Sequence, residues 1–362
     1  MSIRTLLVTK EYPPFKGGVA NYYYNLASHF PNHETFLVLD NNNSKLDSGQ
    51  GFFSWRPAFK EIYRKIRKAK INRVLVGHIL PLGTVVYFLS FILPFKYFVF
   101  LHGLDLSSAL KTKRKKKISI LILKRAEKII AANSFVAASL LKEFPAFNGK
   151  VVVINPGLAK NYPLVSDEEK EVLRAEYDLS DKKILFSLGR LVKRKGFDYT
   201  IEALKKMNAQ DLENLIYIIA GGGPEAENLK RAVPDNLKDK VLFLDEINEG
   251  LKWRWLAICD IFIMPARNID GDYEGFGIVY LEANLFSKPV IAGRAGGVVD
   301  AVVNGLNGLL VDPENIDDIK EAILKLKNEP ELAIKLGIAG QERVKANFNW
   351  EKLAFDLYKI IK

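Results

Sequence analysis

The 362-residue sequence has one cysteine, Cys259, only four histidines, and few acidic residues in its first half. A single cysteine excludes an internal disulfide and fits a reducing compartment, and its apolar surroundings indicate a buried, inert thiol. No cysteines and histidines have metal-ligand spacing, and neither a G-x-x-x-x-G-K-[ST] nor a G-x-S-x-G motif occurs. The sequence therefore offers no zinc site, P-loop or serine-hydrolase elbow.

Uninterrupted apolar runs are also missing. The most apolar stretch, 74–101, is divided by His78, Pro81, Pro94 and Lys96 into pieces shorter than the ~20 residues that a membrane helix needs. We predict a strand at 73–77, a helix at 82–92 and a strand at 97–101 instead of a membrane span. The first apolar run is too short for a signal peptide, so we expect a cytoplasmic protein.

Positive charge is concentrated in the first half. Residues 1–157 contain 24 Lys and Arg against 8 Asp and Glu, whereas residues 158–362 contain 29 against 34. A basic amphipathic helix is predicted at 59–70, and the run 111–117 has six basic residues in seven. An anionic membrane, a nucleic acid or an acidic substrate are all suitable partners for such a surface.

Strand-like and helix-like segments alternate through both halves of the chain. Strands are predicted at 4–9, 184–188, 216–220 and 289–292, each followed by a glycine-rich turn. A break at Asn155-Pro156-Gly157 places an interdomain linker at about 156–166. This pattern predicts an α/β protein with two domains whose parallel sheets face each other across a cleft.

The stretch from Asp272 to Glu282 is a candidate anion site. It follows a predicted strand and leads into a predicted helix at 278–286, whose free N-terminal amides favour a phosphate. Glu274 and Glu282 bracket the turn, and carboxylates accept hydrogen bonds from hydroxyls. A phosphorylated ligand with a sugar fits this pattern, and an ordinary helix start with an acidic flank is the alternative.

A second candidate follows the strand at 184–188. Arg190 and Lys195 lie in a glycine-bounded basic segment that precedes a helix. Two fixed cations beside a helix N-terminus bind a diphosphate and stabilise it as a leaving group. A solvated basic loop is the alternative interpretation.

Three weaker patterns remain. Gly221 to Ala226 satisfies G-x-G-x-x-A, with Asp245 where a dinucleotide fold holds ribose, so a nicotinamide enzyme is an alternative. Asp270-Gly-Asp272 resembles a short metal-binding triplet, but we predict no required metal because an Arg/Lys clamp makes one unnecessary. His102 follows a predicted strand end, where open α/β sheets bind ligands, and is either functional or structural.

Together these residues resemble the GT4-type retaining glycosyltransferases of the GT-B fold over essentially the whole chain. The last motif, Pro265 to Ala283, looks similar to GDP-mannose-dependent phosphatidylinositol mannosyltransferases. Segments that carry the resemblance are Tyr12-Pro-Pro, Gly17-Gly18, His102-Gly103 with Asp105, Gly189-Arg190, Lys195-Gly196, Ala220 to Pro224, Glu274 to Glu282 and Gly296-Gly297.

The resemblance implies two Rossmann-like domains, with the donor held mainly by the second. Arg190 and Lys195 would bind the diphosphate of a nucleotide sugar, Glu282 its ribose, and Ile247 would border its base. Backbone near the start of the following helix would complete the phosphate site, namely Phe276, Gly277, Ile278 and Val279.

It also implies roles around the transferred sugar. Glu274 would hold a sugar hydroxyl, Gly17 and Gly18 would close over the phosphates, and His102 would lie near the sugar. The implied reaction retains the anomeric configuration by positioning and leaving-group stabilisation, with no cofactor or metal. The implied domains are an acceptor-binding domain 1–160, a nucleotide-sugar domain 161–345 and a last helix, within 346–362, that crosses back to the first domain.

We therefore predict a cytoplasmic hexosyltransferase that uses GDP-mannose, or alternatively UDP-glucose, with a glycan or lipid-linked acceptor. Segments 59–70 and 111–117 are predicted to dock on the anionic membrane face rather than on nucleic acid. The region 41–50 contains no acceptor signature. A nucleotide-sugar epimerase of the same fold and a basic nucleic-acid-binding protein are the alternatives.

Overall fold

Two parallel sheets organise the chain. The computed structural model describes residues 2–15, 17–42, 46, 55–159 and 162–362. Contacts divide it into two compact units, the first Met1–Ala159 with Phe348–Lys362 and the second Lys160–Asn347. Most of the predicted loop 41–50 and two residues of the predicted linker 156–166 lie outside the described residues.

The first unit contains a six-stranded parallel sheet. Its strand order is β2-β1-β3-β4-β5-β6, so the order reverses between β1 and β3. The strands are β1 Arg4–Val8, β2 Thr35–Leu39, β3 Arg73–Val76, β4 Lys96–Leu101, β5 Ile129–Ala131 and β6 Val151–Val153.

Helices cover both faces of this sheet, because its strands are apolar on both faces. Leu6 and Val8 pack into one cluster and Leu7 into the other, as the alternation of side chains along a strand requires. The helices are α1 Gly18–Ser28, α2 Arg56–Ala69, α3 Thr84–Leu89, α4 Leu104–Leu110, α5 Lys113–Arg125, α6 Ser134–Glu143 and α15 Trp350–Ile361.

The second unit contains another six-stranded parallel sheet, in the order β12-β11-β10-β7-β8-β9. Read from β7, this is the doubly wound Rossmann order, whose reversal falls between β7 and β10. The strands are β7 Lys183–Leu188, β8 Leu215–Ala220, β9 Val241–Leu244, β10 Ile261–Met264, β11 Val290–Gly293 and β12 Gly308–Val311.

The helices of the second unit begin with a capping box on α7, where Ser166 and Glu169 bond each other's backbone amides. Asn248 and Asn315 cap α10 and α13 with their side-chain oxygens. The helices are α7 Asp167–Glu176, α8 Phe197–Lys205, α9 Ala226–Ala232, α10 Glu249–Ile258, α11 Ile278–Leu285, α12 Val298–Ala301, α13 Ile316–Asn328 and α14 Pro330–Asn347.

The apolar stretch 74–101 forms two strands joined by short helices. The predicted helix 82–92 was too long, because a π-helical segment at Ile79–Gly83 precedes α3 and turn hydrogen bonds follow Leu89. Leu80, inside the first of these segments, has an extended backbone with a φ of −125° and a ψ of 140°, so no regular helix begins there. Within the described ranges, no helix combines the length and apolar character that crossing a bilayer requires.

Candidate functional site

The loops after β7 and β10 meet where the second sheet reverses its order, which is where open α/β sheets bind ligands. Glu274, in the loop after β10, lies between two cations from the loop after β7. Its Oε2 is 2.6 Å from Arg194 Nη1 and 3.1 Å from Lys195 Nζ. Arg194 Nε also lies 3.2 Å from Asp272 Oδ2. The loops are therefore joined by an ion-pair cluster, Arg194–Lys195–Asp272–Glu274.

Glu274 is ionised in this cluster. Burial alone would raise the pKa of the carboxyl, but the charges and hydrogen bonds of Lys195 and Arg194 outweigh it and hold the pKa below its ordinary value. An ionised carboxylate only accepts hydrogen bonds, so Glu274 suits hydroxyl donors. A diphosphate would compete with it for both cations.

Asp272 belongs to the Asp270-Gly-Asp272 triplet, and its carboxylate is paired with the guanidinium of Arg194. Among the described residues, no group of three or more His, Cys, Asp or Glu side chains is placed to hold a metal ion. Asp272 of the triplet is thus part of the ion-pair cluster in this structure.

Helix α11 begins at Ile278, four residues after Glu274. Gly277 precedes it with a φ of 76°, and a Cβ there would overlap the ring of Tyr280. The Tyr280 hydroxyl donates to the carbonyl oxygen of Met264 at 2.6 Å, which fixes α11 against the end of β10. The first amides of the helix, at Ile278 and Val279, therefore begin beside the ion-pair cluster. Phe276 is buried under this turn.

Glu282 lies one turn into α11 and pairs with a different helix. Its Oε1 is 2.9 Å from Lys252 Nζ, and the same ammonium is 2.6 Å from Glu249 Oε1 and 4.0 Å from the centre of the Trp253 ring. Burial raises the pKa of Glu282, although Lys252 opposes the rise. Lys252 therefore holds Glu282 in one orientation.

Arg190 and Ile247, two predicted donor contacts, line one cavity of about 410 Å³. Arg190 is exposed, and no ion pair holds it among the described residues. A Cβ placed on Gly189, on the wall of this cavity, would be 3.1 Å from Lys195 Nζ, so Lys195 lies beside it. Glu246 also lines the cavity and was not predicted.

The glycine-rich turn on the same cavity has a packing explanation. Gly221 has a φ of +135°, and a Cβ there would overlap the carbonyl oxygen of Gly189. The Leu191 amide donates to the Gly222 carbonyl at 2.8 Å. The G-x-G-x-x-A pattern therefore allows two loops to approach closely.

The first unit has its own polar cluster where its strand order reverses. Glu11 follows β1, His78 follows β3, and Glu11 Oε1 lies 3.2 Å from His78 Nε2. Glu11 Oε2 is 4.0 Å from where a Cβ on Gly17 would lie, just before Gly18 and α1. Gly17 therefore lies beside a His–carboxylate pair that the sequence did not indicate.

His102 follows β4 and is held in a hydrogen-bonded chain. Tyr23 donates its hydroxyl hydrogen to the Gly77 carbonyl at 3.0 Å, and His102 Nε2 lies 2.7 Å from the same hydroxyl oxygen. The Tyr23 hydroxyl has one hydrogen, which it donates to Gly77, so its oxygen must accept a hydrogen from His102. Nε2 of His102 is therefore protonated, and Nδ1 is the unprotonated ring nitrogen.

The backbone at His102 is held by Asp105, whose Oδ1 accepts the amides of His102 and Gly103 at 3.0 and 2.9 Å. Burial, with the nearby charge of His78, lowers the pKa of His102 to about 3. Burial raises the pKa of Asp105. His102 is therefore a neutral imidazole at neutral pH.

The structure thus groups the predicted residues in two sets. The first unit holds Gly17, Gly18 and His102, and the second unit holds the others. Arg194 and Lys252 were missed. Arg194 was visible only as one of three consecutive basic residues, Lys193 to Lys195, and Lys252 had no sequence signal.

Two parallel α/β units with these strand orders define the GT-B fold, and solved structures confirm it. The glycosyltransferase from Rickettsia africae ESF-5 superposes with a TM-score of 0.82 at 21% identity, covering 100% of this chain and 98% of that one. Anabaena Alr3699/HepE in complex with UDP superposes with a TM-score of 0.77 at 18% identity, covering 99% of both chains.

Residues 169–343 match the family described as Glycosyl transferases group 1, which confirms the resemblance predicted from the sequence. A GDP-mannose-dependent alpha-(1-6)-phosphatidylinositol monomannoside mannosyltransferase of Mycobacterium tuberculosis is 34% identical over 193 residues, 52% of this chain and 50% of that protein. The match thus spans about half the length of that relative. An uncharacterized glycosyltransferase of Methanocaldococcus jannaschii is 26% identical over 376 residues, covering 99% of this chain and 98% of that protein.

Proposed function

We propose that the chain is a GT4-type retaining glycosyltransferase that moves a hexose, with mannose favoured, from a nucleotide-diphosphate sugar to a hydroxyl of a glycan or lipid-linked acceptor. The observation that carries the proposal is the Lys195–Glu274 pair at 3.1 Å, at the reversal of the second sheet and before α11. In this pair, the Lys195 ammonium can bind a diphosphate and the Glu274 carboxylate can accept a hydrogen bond from a sugar hydroxyl.

The donor fits the second unit in a definite order. Its base would lie beside Ile247 in the 410 Å³ cavity and its diphosphate beside Arg190 and Lys195. Glu282, oriented by Lys252, would accept the ribose hydroxyls. The amides at the start of α11 would bind the same diphosphate that the cations bind.

Binding of the diphosphate would rearrange the ion-pair cluster. Lys195 and Arg194 would bind the phosphates and give up part of their contact with Glu274. Glu274 would then accept a hydrogen bond from a sugar hydroxyl. The bond from the anomeric carbon to the phosphate oxygen breaks while the acceptor hydroxyl oxygen attacks from the same face, and the hydroxyl proton passes to the departing phosphate oxygen. Stabilisation of the leaving diphosphate is the main catalytic contribution, and no metal or cofactor is required.

Donor identity is the first property to test. GDP-mannose, UDP-glucose and ADP-glucose are each titrated into the full chain while the melting temperature is followed, because a ligand that binds the folded state raises it. We expect GDP-mannose to give the largest rise, and Lys195→Met to abolish it. A rise that Lys195→Met leaves unchanged would contradict the site assignment. Conversion of the nucleotide sugar to its epimer, with no acceptor present, would favour the epimerase.

The basic surface of the first unit supports docking on an anionic membrane from the cytoplasmic side. Helix α2 buries Ala58, Ile62 and Ile66 on one face. Its other face exposes Lys60, Arg64, Arg67 and Lys68, and the start of α5 exposes Lys113, Arg114, Lys115 and Lys117.

Apolar side chains lie between these two basic helices. Phe88, Phe91 and Ile92, in α3 and the turn after it, are 50%, 58% and 61% exposed. Helix α3 packs against both α2 and α5. Exposed aromatics beside several cations match the headgroup region of an anionic bilayer, where each Lys or Arg contributes ~1 kcal/mol.

Vesicle co-sedimentation tests this docking. We expect low-salt binding to phosphatidylglycerol vesicles and not to phosphatidylcholine vesicles, and at least a ~10-fold loss when Lys60, Arg64, Arg67 and Lys68 become alanine. A matched control removes the same charge from the second unit, at Lys230, Arg231, Lys238 and Lys240. Equal losses in both variants, or binding to DNA with a steep salt dependence, would contradict membrane docking.

A further inference from the structure

A second positively charged cavity lies in the second unit, at the end of the sheet opposite the candidate donor site. It has a volume of about 250 Å³ and is lined by the residues that begin the strands, among them Lys183, Asp260 and Pro289. Strand β10 starts at this cavity and ends at Met264, whose sulfur is 3.4 Å from Lys195 Nζ. At about 3.3 Å per residue the two sites are separated by the length of a four-residue strand.

Positive charge in this cavity exceeds negative charge. Lys183, Lys288 and Lys327 line it, and Asp260 is the acidic residue that lines it. The Asp260 carboxylate is already engaged, because Oδ2 accepts the Ile184 amide at 2.8 Å and lies 3.5 Å from Arg174 Nη2, and Oδ1 lies 3.6 Å from Lys183 Nζ. One carboxylate therefore faces several cations.

Two of the lysines form no close ion pair with a carboxylate within the described part of the chain. Lys327 Nζ donates to the carbonyl oxygens of Gln210 and Asp211 at 3.3 and 2.7 Å, which leaves its charge uncompensated. For Lys288, no ion pair or side-chain hydrogen bond is formed by the ammonium among those residues. Burial lowers the pKa of the Lys288 ammonium by more than the nearby Cys259 and Asp260 raise it.

Contacts of the neighbouring backbone fix the chain at Ser287 and Lys288. Ser287 lines the cavity with a left-handed φ of 55°, and its carbonyl oxygen lies against Gly337 of α14, where a Cβ would overlap it. Asn284 Nδ2 donates to the Lys288 carbonyl at 2.9 Å. The backbone that carries Lys288 is therefore fixed, and the cavity has room for several waters of ~30 Å³ each, or for a small anion.

We propose that this cavity binds a small dianion of the phosphate class, held by Lys288 together with Lys183 and Lys327, with the Ser287 hydroxyl as a further donor. The three lysines and Asp260 give the cavity lining a net charge of +2, which a dianion would neutralise. Inorganic phosphate and the phosphate group of a small monoester share this chemistry. The site is independent of the proposed transferase function, because none of its residues belongs to the candidate donor site.

Calorimetric titration of the full chain with inorganic phosphate, at constant ionic strength, tests the proposal. Lys195→Met is present in every sample, so that binding at the candidate donor site does not contribute. We expect one phosphate site in this background and at least a ~10-fold weaker affinity when Lys288→Met is added. Lys335→Met, which removes an exposed lysine of α14, is the matched control and leaves the affinity unchanged.

Stability without phosphate separates ligand binding from a structural role. Lys288→Met removes an ammonium whose burial outweighs the attraction of Asp260, and keeps the apolar stem, so the variant should melt at the same temperature as its parent or higher. A large fall in that temperature, or equal phosphate affinity with and without Lys288, overturns the proposal. Glycerol 3-phosphate in a parallel titration identifies the source, since tighter binding than phosphate indicates a monoester site.

Discussion

The two parallel sheets differ in the side chains that lie near the reversal of strand order. Each reverses its strand order once, and each places polar side chains at the reversal. In the second unit these side chains are charged, in the cluster Arg194–Lys195–Asp272–Glu274. In the first unit, Glu11 and His78 lie 3.2 Å apart at the reversal. At the end of the next strand, β4, Tyr22, Tyr23 and Phe100 pack against His102, whose imidazole is neutral.

This difference indicates what each unit can do for a reaction. A cation beside a helix N-terminus stabilises charge that develops on a leaving group. A neutral histidine with a fixed tautomer orients a polar group without adding charge. Variants that change one cluster and leave the other intact test whether the division is real.

The largest expected effect follows from removing the cation nearest Glu274. Lys195→Met should lower the transfer rate by about 10² to 10³-fold, because a preorganised charge at the diphosphate is lost. Glu274 keeps Arg194 at 2.6 Å, so the fold should persist. Lys193→Met, an exposed lysine of the same loop, is the control in a radiolabelled-sugar transfer assay. Activity above one tenth of wild type in Lys195→Met would show that the charged cluster does not serve the reaction.

Close packing of the loops in the second unit gives the next largest effect. Gly221→Ala should destabilise the protein by about 3 kcal/mol, because the new Cβ needs a positive φ and overlaps the Gly189 carbonyl. Urea unfolding measures this change. Gly250→Ala, inside α10, should change stability by less than about 1 kcal/mol. Equal stability of the two variants would mean that the Gly189 loop is not held where the structure places it.

The acid side of the stability curve distinguishes the two clusters. The pKa of His102 is about 3 in the folded protein against 6.5 for an ordinary histidine. Between these values the unfolded state binds a proton that the folded state does not, so the free energy of unfolding falls as the pH drops below 6.5. His102→Asn should remove about 3 kcal/mol of that fall between pH 7 and pH 4.

Urea unfolding over this pH range measures the difference, with exposed His33→Asn as the control. Glu274 has a lowered pKa, so its stabilising contribution is present above its ordinary pKa of 4.5 and is lost as the pH falls below that value. Glu274→Gln should therefore alter the curve only below about pH 4.5. A His102→Asn curve parallel to that of wild type would show that the imidazole is solvated.

The smallest effect concerns the tautomer of His102. Tyr23→Phe removes the hydroxyl that accepts from Nε2, and we expect a ~10-fold lower kcat with little change in KM. Tyr24→Phe changes a ring that is 48% exposed and serves as the control. In a His102→Asn background the Tyr23 substitution should cause no further loss. Additive losses would assign Tyr23 a role of its own.

The sequence predicted the elements better than the contacts between them. Apolar segments followed by glycine-rich turns predicted strands at 4–9, 184–188, 216–220 and 289–292, each within one residue of the bounds of β1, β7, β8 and β11. The strand order of the first sheet was not predicted, because nothing in β2 or β3 indicates on which side of β1 each one lies. The roles assigned to the two domains remain predictions.

Ion pairs and hydrogen bonds of the site were beyond prediction for a related reason. Arg194 and Glu274 are 80 residues apart, His102 and Tyr23 are 79 apart, and Lys252 and Glu282 are 30 apart. Such pairings depend on how loops from neighbouring strands meet, and a local pattern of residue types carries no information about that.

The last helix has a consequence for how the chain matures. Trp350, Leu353, Leu357 and Ile361 complete a core that otherwise consists of residues between Ile3 and Ile154. Arg73 of β3 donates from Nη2 to the Lys362 carbonyl at 2.8 Å. During synthesis from the N-terminus, the second unit has all of its residues before the first unit does. Part of one apolar face of the first sheet, beside α1, therefore stays uncovered until α15 has been synthesised.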